Sequence, residues 1–177
     1  MSKERDLISG GIAALGGVWA DLGSGTGIFT RELAALLGPS ATIYSVDRDA
    51  RDLERQRQSF ARELPAARVQ WLRADFTQPL ALPTLDGIVM ANALHFVPFH
   101  KQAAVLTQIC SYLRWPGGRF IIVEYNAQAG NMWVPYPISI DAFLFMAGQI
   151  GLHEARVLSV IPSRFLREMY SALAIRK

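Results

Sequence analysis

Short apolar runs alternate with amphipathic stretches over the first 125 residues of the chain. A short apolar run bounded by turn residues is typical of a buried strand, whereas apolar residues recurring at i, i+3 and i+4 are typical of a helix. Because strands that alternate with helices pair in parallel, this pattern predicts a sheet with helices on both faces. The predicted strands are Val18–Leu22, Ala41–Val46, Val69–Leu72, Leu85–Ala91 and Arg119–Tyr125.

The segments between the strands carry the helical spacing. We predict a short helix within residues 1–16 and further helices over Gly27–Leu37, Asp49–Leu64 and His100–Leu113. Glycine or proline follows the second and third of these four helices and is expected to end them.

The chain after residue 125 departs from this alternation. A helix is predicted over Ile138–Ile150, followed by two extended runs, Ala155–Ile161 and Met169–Ile175. Their connection, Pro162–Glu168, is shorter than the crossover that parallel strands require, so this pair is expected to be antiparallel. The predicted fold class is α/β: a Rossmann-like, doubly wound, seven-stranded and mostly parallel sheet with a C-terminal antiparallel hairpin.

Length and composition favour one globular domain, and the single cysteine favours a cytoplasmic location. The 177 residues are 51% hydrophobic and 19% charged, which suffices for one core. The most apolar stretch of the second half, Ile138–Leu152, contains polar residues, and no membrane span is predicted. The N-terminus faintly resembles a secretion signal, but cleavage near Ala20 would remove the first strand. The single cysteine, Cys110, cannot form an internal disulfide, and we interpret it as a buried apolar residue.

The strongest motif is a glycine-rich loop between the first strand and the following helix, Asp21–Gly27 (DLGSGTG). Glycines allow a tight turn and a close approach of ligand to backbone, and the N–H groups of the helix point at that ligand. The glycines are spaced G-x-G-x-G, whereas the dinucleotide fingerprint is G-x-G-x-x-G.

Two acidic residues follow the next strands. Asp47 ends the second strand, about 20 residues beyond the loop, where a carboxylate can accept hydrogen bonds from both ribose hydroxyls. This position does not distinguish NAD from S-adenosylmethionine. Asp49 fits the alternative role of a helix cap better. Asp75 and Phe76 follow the third strand, where an aspartate alone is often a turn residue.

Together these motifs resemble the class I (Rossmann-like) S-adenosylmethionine-dependent methyltransferases. The segment Ala93–Pro98 (ALHFVP) is similar to one in the small-molecule ubiquinone/menaquinone-type and trans-aconitate-type enzymes. Leu113–Phe120 (LRWPGGRF) resembles their L-[KR]-P-G-G run, with Trp115 inserted. By motif the resemblance covers roughly residues 18 to 125.

The resemblance implies S-adenosyl-L-methionine as cofactor, S-adenosyl-L-homocysteine as product, and a role for each motif. The loop would hold the methionine portion, with Asp21 organising it; Asp47 would bind the ribose, and the Asp75–Phe76 pair the adenine. Asn92 would line the wall near the reacting methyl group. The cofactor-binding residues expected are Asp21, Gly23, Ser24, Gly25, Gly27, Asp47, Arg48, Asp75, Phe76 and Asn92. One domain over 1–177 is expected, with the N-terminal helix in 1–16, the cofactor-binding core in 17–125 and the acceptor side in 126–177.

Catalysis by such an enzyme consists mainly of alignment and the exclusion of water, because the cofactor is already an activated donor. No metal is predicted, since no cluster with ligand spacing is visible. Should the acceptor lose a proton, His95 is the best-placed base; the alternative is that His95 packs under the cofactor or caps the loop. Glu124 and Tyr125 end the fifth strand and are candidates to face the acceptor.

Acceptor choice is expected to depend on Phe96–Phe99 and on the loop Asn126–Pro137, which holds Met132, Trp133 and Tyr136. Aromatic residues in a surface loop favour an apolar or aromatic small molecule, with packing on the last helix or a dimer contact as the alternative. The oligomeric state stays open.

The sequence also bears on three other functions. The basic pI of about 9.3 mildly favours an RNA or protein acceptor. Methylation of base amino groups is disfavoured because Asn92 is followed by Ala93 rather than by Pro-Pro-Tyr/Phe. The charge run Arg48–Arg62 alternates in sign, as on a solvated helix face. A non-catalytic adenosyl-ligand-binding protein stays open, whereas an NAD-dependent oxidoreductase is disfavoured because no Tyr-x-x-x-Lys pair occurs.

Overall fold

The computed structural model describes residues 2–177, which form seven strands and five α-helices. The strands are β1 (Val18–Leu22), β2 (Thr42–Asp47), β3 (Arg68–Arg73), β4 (Gly87–Ala91), β5 (Gly118–Tyr125), β6 (Leu152–Pro162) and β7 (Glu168–Arg176). The helices are α1 (Lys3–Ser9), α2 (Ile28–Leu37), α3 (Ala50–Glu63), α4 (Phe99–Cys110) and α5 (Ile140–Gln149), and a 3₁₀ turn spans Leu94–Phe96.

The strands form one sheet in the order β3-β2-β1-β4-β5-β7-β6. The first five strands of the chain are parallel, while β7 is antiparallel to β5 and β6 is antiparallel to β7. This confirms the predicted fold class, including the C-terminal hairpin. The strand order reverses between β1 and β4, and ligands of open α/β sheets bind at the carboxyl ends of the strands at such a point.

Each face of the sheet packs against a separate hydrophobic core. On β4, Ile88 and Met90 enter one core and Val89 enters the other, and all three are fully buried. Because helices cover both faces, the central strands are continuously apolar rather than alternating. This is why short apolar runs in the sequence predicted them.

A short N-terminal helix lies within residues 1–16. It spans Lys3–Ser9, and Ser2 caps it by accepting a hydrogen bond from the backbone N–H of Arg5. The helix ends at the adjacent glycines Gly10 and Gly11. A side chain at Gly11 would overlap Ile121 of β5, so the chain passes close to the sheet there and cannot continue as a helix.

The C-terminal part follows the prediction with longer strands. The helix α5 spans 10 residues and begins at Ser139, whose hydroxyl accepts from the backbone N–H of Ala142. β6 spans 11 residues and includes His153, which we expected to precede it. Across residues 2–177, none of the helices combines the length and the apolar character needed to cross a membrane.

A substitution at Gly87 tests how tightly β4 packs against Trp19 of β1. A Cβ at Gly87 would overlap the buried indole ring of Trp19 on β1. We expect Gly87→Ala to lower the free energy of unfolding by about 1–3 kcal/mol through overpacking, measured by urea denaturation. The control is Gly148→Ala on the exposed face of α5, where no atom lies within 4 Å of the new Cβ. There the variant should gain about 0.5–1 kcal/mol. Equal midpoints for both variants would contradict this packing.

Candidate active site

The glycine-rich loop leaves the carboxyl end of β1 and enters α2. Gly23, Gly25 and Gly27 all have positive φ angles, of 76°, 51° and 84°. Side chains at two of these positions would collide, with Ala93 at Gly23 and with Gln56 at Gly27. Gly25 has no atom within 4 Å of its Cβ position and therefore leaves open space above the loop.

A buried polar side chain of α3 holds the loop from below. The side-chain amide of Gln56 donates to the Gly25 carbonyl oxygen at 2.6 Å and to Ser24 Oγ at 3.0 Å. Ser45 Oγ of β2 lies 2.8 Å from both Ser24 Oγ and Gln56 Oε1. Ser24 therefore belongs to the support of the loop rather than to its ligand-facing surface.

Asp21 lies in the same buried layer. Its Oδ2 accepts a hydrogen bond of 2.6 Å from the Thr30 hydroxyl of α2. Burial raises the pKa of the Asp21 carboxyl from 3.8 to about 7, which exceeds the opposing effect of the Thr30 hydrogen bond; the negative charge of Asp47 acts in the same direction as burial. A positive charge placed nearby would favour the ionised form of Asp21.

Asp47 connects β2 with the glycine loop. Its Oδ2 accepts from the backbone N–H of Gly25 at 2.7 Å, and its Oδ1 accepts from the backbone N–H of Asp49 at 2.8 Å. Asp49 in turn caps α3 by accepting from the N–H of Arg51, as the sequence predicted. Each oxygen of an ionised carboxylate can accept more than one hydrogen bond, so Asp47 keeps acceptor capacity for a ligand.

A first cavity of about 370 Å³ opens above the loop, a volume in the range of small-molecule sites. It is lined by Gly23, Gly25, Asp47, Arg48, Asp49, Ala74, Asp75, Phe76, Thr77, Asn92, Ala93, Phe96 and Val97. At one end, Asp75 Oδ1 accepts from the backbone N–H and the hydroxyl of Thr77, which is a turn arrangement. Across residues 2–177, no hydrogen bond is made to the other oxygen of Asp75.

Asn92 lies at the end of β4 in an unusual conformation. Its φ angle is 51°, and its buried Oδ1 has no hydrogen-bond partner among residues 2–177. Positive φ is uncommon for a residue other than glycine, and an unpaired buried polar atom is costly. The first cavity and two further cavities share Asn92 as a lining residue. These features together indicate a position built to face a ligand.

A buried histidine–glutamate pair lies beside Asn92. His95 Nδ1 is 2.8 Å from Glu124 Oε2, and the backbone N–H of His95 donates to Glu124 Oε1 at 3.2 Å. The two residues are 3% and 0% exposed. A carboxylate only accepts hydrogen bonds, so Nδ1 opposite a carboxylate would carry the proton and Nε2 would keep the free lone pair. Glu124 therefore faces His95 rather than an acceptor, contrary to one of our expectations.

A second cavity of about 230 Å³ lies next to this pair. A third cavity, of about 460 Å³, adjoins the first and the second cavity. The second cavity is lined by Asn92, His95, Phe96, Tyr125, Trp133, Val134 and Phe165. Aromatic rings form most of its wall, and 64% of Trp133 is exposed. Its volume and aromatic lining suit one apolar group.

A family profile described as a methyltransferase domain matches residues 20–118 of the chain, more than half of its length. The chain belongs to this family. The matched range begins within β1 and ends at the start of β5, so it contains all the residues that line the first cavity. The resemblance to class I methyltransferases is thereby confirmed.

The ubiquinone/menaquinone biosynthesis C-methyltransferase of Stutzerimonas stutzeri is 26% identical to the chain over 156 residues. The match covers 80% of the chain and 58% of that enzyme, so the chain spans little more than half of such relatives. Two solved methyltransferases share the fold at 18% identity. Magnesium protoporphyrin IX methyltransferase from Synechocystis, with bound S-adenosylmethionine, superposes with a TM-score of 0.74 over 92% of the chain and 71% of the enzyme. Human N-acetylserotonin methyltransferase, also in complex with S-adenosylmethionine, superposes with a TM-score of 0.73 over 98% of the chain and 51% of the enzyme.

The structure divides the predicted site residues of this methyltransferase-family chain into two groups. Those that line the first cavity are Gly23, Gly25, Asp47, Arg48, Asp75, Phe76 and Asn92. Asp21, Ser24 and Gly27 lie behind the loop instead and shape it. His95 lines the second cavity.

Only some of the residues expected to contact the acceptor line the second cavity. Phe96 and Trp133 line the second cavity, whereas Met132 is 85% exposed and Tyr136 packs edge-on against Phe99. Sequence reasoning missed Phe165, which reaches this cavity from the β6–β7 turn. No local pattern marks Phe165, because only the pairing of the hairpin brings it near β4.

Asp21 makes the stability of the protein depend on pH. Its folded-state pKa of about 7 is above its ordinary value of 3.8, so the folded state binds more protons than the unfolded state between these values. This carboxyl therefore lowers stability as pH rises from about 4 to 7, and its destabilising effect is complete above pH 7. We expect Asp21→Asn, relative to the natural protein, to gain on the order of a few kcal/mol between pH 5 and pH 8.

The measurement is urea denaturation at both pH values. Asp52→Asn on α3, which lies outside the buried layer, is the control and should follow the natural protein. If the difference between Asp21→Asn and the natural protein is the same at both pH values, Asp21 does not titrate in this range.

Proposed function

We propose that this chain is an S-adenosylmethionine-dependent methyltransferase that acts on a small-molecule acceptor. The observation that carries the proposal is the first cavity, where the glycine loop and the carboxylates of Asp47 and Asp75 meet at the reversal of strand order. Membership of the methyltransferase-domain family and the likeness to two S-adenosylmethionine-bound enzymes support it.

The cavity has separate groups for each part of the cofactor. Asp47 would accept from the ribose hydroxyls, and Asp75 with Phe76 would hold the adenine. The backbone of Gly23 and Gly25 would lie along the methionine portion. Arg48 lies beside Asp47 in the cavity wall, while Asp21, Ser24 and Gly27 keep the loop in its open shape. The unpaired Oδ1 of Asn92 would face the end that carries the methyl group.

When bound, S-adenosylmethionine supplies an electrophilic methyl group on a sulfonium sulfur. The chain itself orients the acceptor and removes its proton. A hydroxyl in the second cavity would give its proton to His95 Nε2, and Glu124 would stabilise the resulting imidazolium through Nδ1. In this proposal His95 would be packed in the core and would present Nε2 to the second cavity.

The size and lining of the second cavity favour a small acceptor over RNA or protein. About 230 Å³ between aromatic rings matches the size of one planar group of a small molecule. We accordingly propose that residues 17–125 bind the cofactor and that residues 126–177, together with Phe96–Phe99, form the acceptor side. A cytoplasmic location is part of the proposal, and the buried free thiol of Cys110 supports it.

Asp47 gives the direct test of cofactor binding. We expect the protein to bind S-adenosylmethionine and S-adenosylhomocysteine but not NAD in calorimetric titrations. Asp47→Asn should weaken both adenosyl ligands by at least about tenfold, since a charged acceptor of two hydrogen bonds is lost. Asp52→Asn carries the same change of charge outside the cavity and should leave both affinities unchanged. Failure of both adenosyl ligands to bind would overturn the proposed function.

His95 and Glu124 give a test that needs no acceptor. Nitrogen chemical shifts of the histidines should show His95 protonated at Nδ1, because Glu124 accepts there. In Glu124→Gln this preference for Nδ1 should weaken, while His100 and His153 serve as internal references. An Nε2-protonated His95 in the natural protein would exclude it as the base.

Methyl transfer from labelled S-adenosylmethionine to hydroxylated aromatic compounds gives the matching kinetic test. With an active acceptor, His95→Gln should lower kcat by about 10²–10⁴-fold without weakening S-adenosylhomocysteine binding. Glu124→Gln should lower kcat less and alter its pH profile. Unchanged kcat in His95→Gln would show that transfer needs no base at this position.

A further inference from the structure

The third cavity has walls unlike those of the other two. Its volume is about 460 Å³, and it lies between α1, the start of α2 and the β6–β7 turn. Apolar side chains from α2, β6 and β7 line one part of it, namely Ile28, Phe29, Ile161 and Met169. Charged and polar side chains line another part, namely Lys3, Glu4, Ser163 and Arg164.

This cavity adjoins the proposed site of reaction. It shares Asn92 with the first cavity, and it shares Asn92, Tyr125 and Phe165 with the second. The Tyr125 and Phe165 rings meet edge to face, with centroids 6.3 Å apart. The two rings border both cavities, so an acceptor that occupied the second and the third cavity together would contact them.

The charges of the third cavity do not cancel. Lys3 Nζ lies 3.8 Å from Glu4 Oε1, so these two opposite charges compensate each other. Arg164 makes neither a salt bridge nor a side-chain hydrogen bond within residues 2–177, although it lines the cavity. Arg164 is exposed, so its guanidinium lies at the solvent side of the cavity without an ion pair.

A hydroxyl donor lies next to this guanidinium. Ser163 Oγ accepts a hydrogen bond from the backbone N–H of Phe165 at 3.2 Å, which leaves the hydroxyl proton free to donate. A guanidinium binds a carboxylate with two parallel hydrogen bonds, and such charge-assisted bonds are about twice as strong as neutral ones. The pair is thus suited to an anionic group attached to an apolar body.

We infer that the methyl acceptor is an aromatic acid whose carboxylate is bound by Arg164 and Ser163 in the third cavity. Its ring lies along Tyr125 and Phe165, with the hydroxyl to be methylated directed towards Asn92 and His95. This inference rests on the proposed function, because it names the substrate class of the same site.

The test compares two probes that differ only in charge, 6-hydroxy-2-naphthoate and 6-hydroxy-2-naphthamide. Binding of each to the full chain is measured by fluorescence titration, with and without saturating S-adenosylhomocysteine. We expect the natural protein to bind the carboxylate at least about tenfold more tightly, as for loss of one charge-assisted pair. In Arg164→Gln the two affinities should become nearly equal through weaker carboxylate binding.

The matched control is Arg167→Gln. Arg167 lies in the same turn but does not line the cavity. Its backbone carbonyl oxygen accepts a hydrogen bond from the N–H of Ser163, and a change of its side chain keeps this bond. This variant should keep the preference for the carboxylate, which excludes a general effect of net charge.

Three results would overturn the inference: equal affinities of the natural protein for both probes, no binding of either, or an unchanged preference in Arg164→Gln. Its failure differs from failure of the proposed function. Absence of S-adenosylhomocysteine binding would contradict the methyltransferase proposal. The preference for the carboxylate over the amide probe is measured separately, in titrations without S-adenosylhomocysteine.

Discussion

The cofactor cavity depends on how the loop after β1 is held at its lower side. Three glycines with positive φ angles give this loop its path, but they also make it flexible. Side chains of β2 and α3 remove that freedom, because Asp47 binds the N–H of Gly25 and Gln56 binds its carbonyl oxygen. The backbone N–H and carbonyl oxygen of Gly25 are thus both held by hydrogen bonds, while the side of the loop that faces the first cavity stays open for a ligand.

Much of this architecture could be predicted from the sequence, for a physical reason. The central strands are covered on both faces, so they appear as short apolar runs, and the antiparallel hairpin follows from a connection too short for a crossover. Asp47 could be located because the end of a strand and its distance from the glycine loop are both visible in the sequence. The exact end of the N-terminal helix could not be located, because the contact of Gly11 with Ile121 that follows it is tertiary.

Residues that act through tertiary contacts could not be predicted. Gln56 lies in a charged helix whose sequence is typical of a solvated face, yet the residue is only 1% exposed and supports the loop. Phe165 and Arg164 lie in a hairpin turn, where composition says nothing about the cavity they reach. For His95 the sequence allowed catalysis or packing. Its contact with Glu124, which lies 29 residues later in the chain, leaves no local pattern that could have predicted it.

Asn92 shows why the unfavourable features of the site belong together. Its left-handed backbone and its unpaired Oδ1 both cost stability, and no contact within residues 2–177 offsets the second. The raised pKa of Asp21, which burial causes, adds a further unfavourable feature at the same end of the sheet. A ligand with a hydrogen-bond donor or a polarised C–H would satisfy Asn92, and a nearby positive charge would favour the ionised form of Asp21. The proposed cationic cofactor would supply both groups, so these unfavourable features fit a site whose full stability is reached only with its ligand bound.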